Sequence, residues 1–322
     1  MPVVVRTNMP SIIVQQNLNA ATNSLNTAIE RMTTGYKINQ ASDNAANFSI
    51  ATSWVTKIGS LDVVAENTAT GKDMLSTAEK NYDLITTHLQ RIRDLTEQAS
   101  NGTYGVDSLK AMQSEIVARL EEITRVSRNA EFNGIELMTG SVGTAGLNIQ
   151  VGLDATPDSV INLAASMFSD ASVCGLFASN TPFMNIVKKD NNNQAVNPVN
   201  NTAGYTALGA AFVGLKKDGS GNYSIQTDTG YQAKDTLAAL DAALKNIDKR
   251  VTTLGSTQNR IDSAATSIEV RSENLTSSLS TIRDTDVAKE SSNYIQAQIL
   301  QQASATLLAT ANQAPSIALS LI

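Results

Sequence analysis

Residues 237–282 read LAALDAALKNIDKRVTTLGSTQNRIDSAATSIEVRSENLTSSLSTI. Apolar side chains recur at Leu237, Leu240, Leu244, Ile247, Val251 and Leu254, then at Ile261, Ala265 and Ile268, then at Leu275, Leu279 and Ile282. Steps that alternate three and four residues place these side chains on one face of a helix, in a heptad pattern. Gln258 and Ser272 are polar breaks in it. One helix of that span would be about 69 Å long, at roughly 1.5 Å per residue. Such a strip cannot bury itself. Each Leu or Ile removed from water is worth about 1.5–3 kcal/mol, so the strip requires partner helices.

The partners lie in the other half of the chain. Leu18, Ala21, Leu25, Ala28 and Met32 repeat the same spacing until Gly35 interrupts it. A second run, Leu75, Ala78, Tyr82, Ile85, Leu89 and Ile92, ends near the turn signal Asn101-Gly102. A third, Leu109, Met112, Ile116, Leu120 and Ile123, starts after Asp107-Ser108, which can cap a helix, and closes before Asn133-Gly134. The expected fold is mainly α: a long coiled-coil helical bundle formed by both ends of the chain. Between the ends the pattern changes. Residues 140–161 carry Gly and Asp turn signals around Leu147-Asn148-Ile149-Gln150-Val151 and Ser159-Val160-Ile161, which read as a β-hairpin region. Residues 168–232 contain Asp190-Asn191-Asn192-Asn193 and Asp218-Gly219-Ser220-Gly221-Asn222, read as turns in a small β-rich central insert.

Composition narrows the function. Of 322 residues, 42% are hydrophobic but only 4% aromatic, so the cores are built from Leu, Ile, Val and Ala, as helix-on-helix packing prefers. A net charge of -6 and the lack of any Lys/Arg-rich run argue against nucleic-acid binding. Cys174 is the one cysteine, which excludes an intrachain disulfide, and it reads as a small buried apolar residue. His88 is the one histidine and reads as a solvated helix residue. Without a histidine pair, a thiol dyad or a phosphate-binding Gly-rich loop, an enzyme is not expected, and no cofactor or metal site is expected either. The opening residues lack the apolar core of a secretory signal, and no stretch reaches the roughly 18 apolar residues of a membrane span.

The charge distribution adds a second clue. Glu290 is the last charged residue, and Arg6 is the only one among residues 1–29. Residues 291–322 are rich in Ala, Gln, Ser and Thr, with a helical stripe at Ile295, Ile299, Ala303, Leu307 and Ala311. Gln296, Gln298, Gln301 and Gln302 would be costly in lipid, which excludes a membrane span. The stripe argues against simple disorder. Two charge-poor amphipathic ends point instead to helices that meet other copies of the chain, where Gln and Ser pair without the desolvation cost of full charges.

Four stretches, in order, resemble bacterial flagellins. They are Leu18-Asn19-Ala20 through Gly35-Tyr36-Lys37-Ile38-Asn39-Gln40-Ala41-Ser42-Asp43-Asn44-Ala45-Ala46, then Leu89-Gln90-Arg91-Ile92-Arg93-Asp94-Leu95, then Phe132-Asn133-Gly134, and finally Leu307-Leu308-Ala309-Thr310-Ala311-Asn312-Gln313-Ala314-Pro315. The resemblance covers roughly residues 1–165 and 235–322. It implies a filament subunit of the bacterial flagellum, serving motility. It further implies an inner-core coiled coil of residues 1–43 with 283–322, a helical shell of residues 44–165 with 235–282, and a variable outer domain of residues 166–234. Leu18, Leu25, Met32, Ile295, Ile299 and Leu307 become the expected self-assembly residues.

The resemblance also implies partners: further copies in a helical filament, a flagellar export chaperone, a filament cap protein and a hook-associated junction protein. No nucleic-acid or membrane partner is expected. Export would follow the flagellar type III route to an extracellular filament, without a cleaved signal. Arg91, Leu95 and Glu115 match positions read by an innate immune Toll-like receptor in many flagellins, a charged pair beside an apolar anchor. Thr96 and Glu97 depart from the small and apolar residues more usual there. Two other functions are open to a chain of this pattern, a hook–filament junction protein and a secreted coiled-coil effector. The filament reading predicts that deleting residues 303–322 abolishes filament growth in electron micrographs, while the bundle keeps its helical circular dichroism and cooperative melting.

Overall fold

The computed structural model describes residues 8–177, 202–217, 223–225 and 233–320. They form two compact units, Met1–Asp62 with Val270–Ile322, and Val63–Glu269.

In the first unit, α1 (Met9–Thr34) pairs with α7 (Val287–Ser320) in antiparallel fashion. Asn8 caps α1 by accepting from the Ser11 backbone N–H at 3.2 Å, and Pro10 sits in the first turn, where its missing donor costs nothing. Gly35 ends the helix at φ 75°, a left-handed conformation that glycine adopts without penalty. A short crossing follows. The Lys37 backbone N–H donates to the Arg283 carbonyl, the Thr285 N–H donates to the Gly35 carbonyl, and the Arg283 guanidinium lies 3.9 Å from the centre of the Tyr36 ring. Asp43 folds the next loop by accepting from the backbone N–H groups of Asn39 and Gln40, which holds its carboxyl below the usual range. Asp286 caps α7 by accepting from the N–H groups of Ala288 and Lys289.

The second unit is a helical bundle. Its long members belong to α2 (Ala45–Ala99) and α6 (Ala233–Arg283), with α3 (Val106–Asn129) beside them. The expected stripes meet in its core. Leu75, Ala78, Tyr82, Ile85, Leu89 and Ile92 of α2 are all fully buried, as are Ile116, Leu120 and Ile123 of α3 and Leu240, Ile247, Leu254 and Ile261 of α6. The α3 start differs from expectation: Gly105 is the cap residue and Asp107 lies in the first turn, where its charge favours the helix dipole.

Asn133-Gly134, at φ 49° and 78°, forms the two-residue turn between β1 (Glu131–Phe132) and β2 (Ile135–Glu136). β3 (Leu147–Gln150) pairs antiparallel with β4 (Val160–Leu163), in register Ile149 with Ile161, at the place where the sequence predicts a hairpin. Ile149 packs so closely on α2 that a Cβ at Gly71 would fall 2.3 Å from its Cδ1.

Beyond β4 the described residues are more helical than the turn-rich sequence suggests. α4 (Val173–Phe177) and α5 (Thr202–Phe212) are helices, and the strands are β5 (Leu215–Lys217) and β6 (Tyr223–Ile225), an antiparallel pair. Apolar contact explains this: Phe177, Leu208, Phe212 and Val213 join the bundle core, and Gly209 lets α5 approach Val117 of α3. The expected turns at Asp190–Asn193 and Asp218–Asn222 lie outside the described residues.

Two polar ties hold the bundle. The Arg250 guanidinium donates to the Ser169 carbonyl at 2.9 Å and to the Asp170 carbonyl at 3.1 and 3.2 Å, while the buried Tyr82 hydroxyl donates to the Met167 carbonyl at 2.7 Å. Buried threonines satisfy their hydroxyls locally: Thr68 on Val64, Thr96 on Ile92 and Thr124 on Leu120. Leu254 is fully buried and Leu244 only partly so. Leu254→Ala is therefore expected to cost about 2–5 kcal/mol. Leu254→Asp should unfold the bundle, and Leu244→Asp should lower its melting temperature less, as followed by circular dichroism.

Candidate assembly and recognition surfaces

The helix pair of the first unit has an unusual seam. On α1 the residues turned to the partner are Ser11, Val14, Leu18, Ala21, Leu25 and Ala28, a strict heptad, with Ala21 and Ala28 buried. On α7 they are Glu290, Tyr294, Ala297, Gln301, Ser304, Leu308 and Ala311, the same repeat. Polar bonds fix the register. Asn8 donates to the Ala311 carbonyl at 2.7 Å, Ser11 to the Asn312 side-chain oxygen at 2.7 Å, and Gln301 to the Thr22 hydroxyl at 3.2 Å. At the far end, the Arg31 guanidinium lies 3.9 Å from the buried Glu290 carboxylate.

The stripe singled out in the sequence of the tail is a different one. Ile295 and Ile299 are 51% and 60% exposed, whereas Leu300 and Leu307, 50% and 56% exposed, flank the seam and line a groove with Ala20, Ser24 and Thr27 of α1. On α1, Leu18 and Leu25 are half-buried in the seam, whereas Met32 is exposed beside Ile29, and Arg31 takes the inward position. Met9, Ile12 and Ile13 are exposed as well. The pair thus buries Ala21, Ala28, Ala297 and Ser304, half-buries Leu18, Leu25 and Leu308, and leaves Ile12, Ile13, Ile295 and Ile299 exposed. Ala311, read in the sequence as part of the Ile295-Ile299-Ala303-Leu307 stripe, belongs instead to the seam with Ala297 and Ser304, and periodicity cannot separate the two because both follow helical spacing.

The second surface lies in the bundle, between α2 and α3. Arg91 reaches across to Glu115, donating from Nε at 2.9 Å and from a terminal nitrogen at 3.3 Å. Arg119, one turn along α3, donates to the same carboxylate at 3.1 and 3.0 Å. Two guanidinium groups on one carboxylate hold the Glu115 carboxyl below its usual range and raise Arg91. These side chains are partly exposed, so the pair orients a surface more than it stabilises the fold. Leu95 is 3% exposed: it belongs to the core under the surface, leaving the charged groups to meet solvent. Thr96 is buried beside it, and Glu97 is exposed and paired with Arg93, which also bonds Asp241 of α6 at 2.8 Å.

Sequence reading missed two members of this surface, Arg119 and His88. The Arg119 guanidinium lies 3.4 Å from His88 Nδ1, so the histidine is half-buried against a charge and is not a freely solvated residue. The i, i+4 spacing of Glu115 and Arg119 was the available signal for one of them. Cys174 is half-buried, and burial together with Asp170 pushes its thiol up to about 11, so it stays protonated at neutral pH. Among the described residues no helix is long and apolar enough to cross a membrane, and no group of three or more His, Cys, Asp or Glu is placed to hold a metal.

Comparison with known proteins accounts for both ends of the chain. Residues 5–142 match the bacterial flagellin N-terminal helical region, and residues 237–322 match the bacterial flagellin C-terminal helical region. Over its whole length the chain is 30% identical to polar flagellin F of Vibrio parahaemolyticus and to flagellin B of Vibrio cholerae, and 31% identical to flagellin C of Vibrio cholerae. Each alignment covers 100% of both chains. With the two terminal regions matched in order and relatives aligned from end to end, the chain belongs to the bacterial flagellin family.

Proposed function

We propose that this flagellin is a filament subunit whose paired ends bind further copies of itself, building an extracellular flagellar filament that serves motility. The observation that carries the reading is the set of exposed large apolar side chains on the α1–α7 pair, Ile295, Ile299, Leu300 and Leu307 with Met9, Ile12 and Ile13. Among the described residues these side chains stay exposed, and each gains about 1.5–3 kcal/mol when a neighbour removes it from water. The absence of charge after Glu290 suits the same end, since no carboxylate or ammonium has to be desolvated when copies pack.

On this reading residues 1–43 with 283–322 form the inner core of the filament, residues 44–165 with 235–282 its shell, and residues 166–234 the outer part. Leu18 and Leu25 hold the helix pair together, while Met32, Ile295, Ile299 and Leu307 meet neighbouring copies. An export chaperone, the filament cap and the hook-associated junction protein are the partners of a subunit exported through the flagellar type III route. The α2–α3 surface makes lateral contacts between copies. A Toll-like receptor reads the same surface through Arg91 and Glu115, with Leu95 supporting them from below.

Purified monomer added to sheared filament seeds and imaged by negative-stain electron microscopy tests the reading. The unaltered chain should lengthen the seeds. A chain carrying Ile295→Asp, Ile299→Asp and Leu307→Asp should not, while its melting temperature stays that of the parent, because those side chains face solvent in the monomer. Normal elongation by the triple variant would refute the assignment.

A further inference from the structure

The α2–α3 surface contains a group that can change charge near neutral pH, and its surroundings give that change a consequence. Arg119 is held on two sides. Its Nε and one terminal nitrogen fork onto Glu115 at 3.1 and 3.0 Å, and its other terminal nitrogen faces His88 Nδ1 at 3.4 Å. A guanidinium only donates, so the Nδ1 atom that faces it carries a lone pair and the imidazole proton sits on Nε2. Neutral His88 therefore completes the set of acceptors that fix Arg119, and through the shared carboxylate it also fixes Arg91, which bonds Glu115 from the opposite helix.

Protonation of His88 removes that acceptor and places two cations 3.4 Å apart. The charged groups that act on the imidazole are Arg119, Glu122 and Arg125, all on α3, and through Arg119 the pair Glu115–Arg91. Of these, Glu122 is the carboxylate that favours the imidazolium, although Arg125 already binds it. A charged His88 is thus repelled by Arg119 and drawn toward Glu122. Repulsion turns Arg119 away from the histidine, and the fork that it makes on Glu115 is no longer held from the His88 side.

We propose that His88 is a proton-operated positioning residue, which when neutral presents the Arg91–Glu115–Arg119 cluster to a neighbouring copy of the chain and when protonated dismantles that arrangement. The proposal rests on the filament reading for its partner and on the local geometry for its mechanism. Burial and the nearby Arg119 both hold the imidazole below the usual histidine range. The folded chain therefore binds this proton less tightly than the unfolded chain does. The stability so gained is present above the ordinary histidine range and is lost as the pH falls from that range through the His88 midpoint.

His88 is the only histidine, so its imidazole Cε1–H signal in the proton NMR spectrum of the full-length monomer needs no assignment by mutation. The expected midpoint lies below that of free histidine, and Arg119→Gln moves it upward. The side-chain Nε–H signals of Arg91 and Arg119 should shift with the same midpoint in the unaltered chain. A flat arginine titration, or a His88 midpoint that Arg119→Gln leaves in place, would overturn the proposal. Seeded growth is then compared at about pH 5 and about pH 7.5, on either side of the histidine range. Growth of the unaltered chain should slow as His88 protonates, and His88→Asn should abolish that limb of the profile. Filaments that form with the same pH dependence in both chains overturn the role of His88 and leave the filament reading standing. If the unaltered chain lengthens no seeds at any pH, the filament reading falls, and the arginine signals of the monomer still decide whether His88 controls the cluster.

Discussion

The burial of one face of α6 is the constraint on which the rest of the bundle depends. Leu240, Ile247, Leu254 and Ile261 have no water-accessible surface, and no helix can dry its own stripe. Two partners are needed, and the stripes on α2 and α3 supply them at matching spacing. With few aromatic residues available, the core is filled by Leu, Ile and Ala, and Tyr82 is the largest side chain placed there. Its hydroxyl would be costly in such surroundings without an acceptor, and the Met167 carbonyl provides one.

That need for dryness explains the smaller features. The β3–β4 hairpin covers α2 at Gly71, where the missing side chain leaves room for Ile149. Arg250 neutralises no carboxylate in its main contacts; it binds the carbonyls of Ser169 and Asp170, in the loop that follows β4. The threonines of the core bond their own helices, so they fill space without leaving unsatisfied groups. α5 adds a further apolar layer over α3, with the Tyr205 hydroxyl donating to Thr124.

The helix pair of the other unit is built on the opposite plan. The residues fully buried in its seam are mostly Ala and Ser, which bring the helices close but remove little apolar surface from water; Leu18, Leu25 and Leu308 are only half-buried there, and Ile12, Ile13, Ile295 and Ile299 remain outside. Such a pair is poorly stabilised alone and well suited to covering by other copies, as the proposed function requires. Arg31 illustrates the economy of the arrangement: Glu290 is its neighbour at 3.9 Å, and its Nε is buried without a hydrogen-bond partner among the described residues.

Much of this was legible in the residues themselves. Heptad spacing located the stripes of α2, α3 and α6, Gly35 marked the end of α1, and the turn signals around residues 147–161 marked a hairpin. These features are local, and local sterics and periodicity report them. The family likewise followed from short stretches near both ends. Other features were settled by contacts between residues distant in the chain. Which of two stripes on α7 meets α1 depended on how closely the helices approach, and small residues won. The helices after β4 owe their apolar contacts to α3 and the bundle core. Leu95 lies under its surface and His88 beside a guanidinium because α3 lies across α2, a fact that the spacing within either helix does not contain. Sequence by itself determined the stripes of α2, α3 and α6, the end of α1 and the family. Tertiary structure alone decided which faces are covered and which charges meet, because burial and electrostatics act through space.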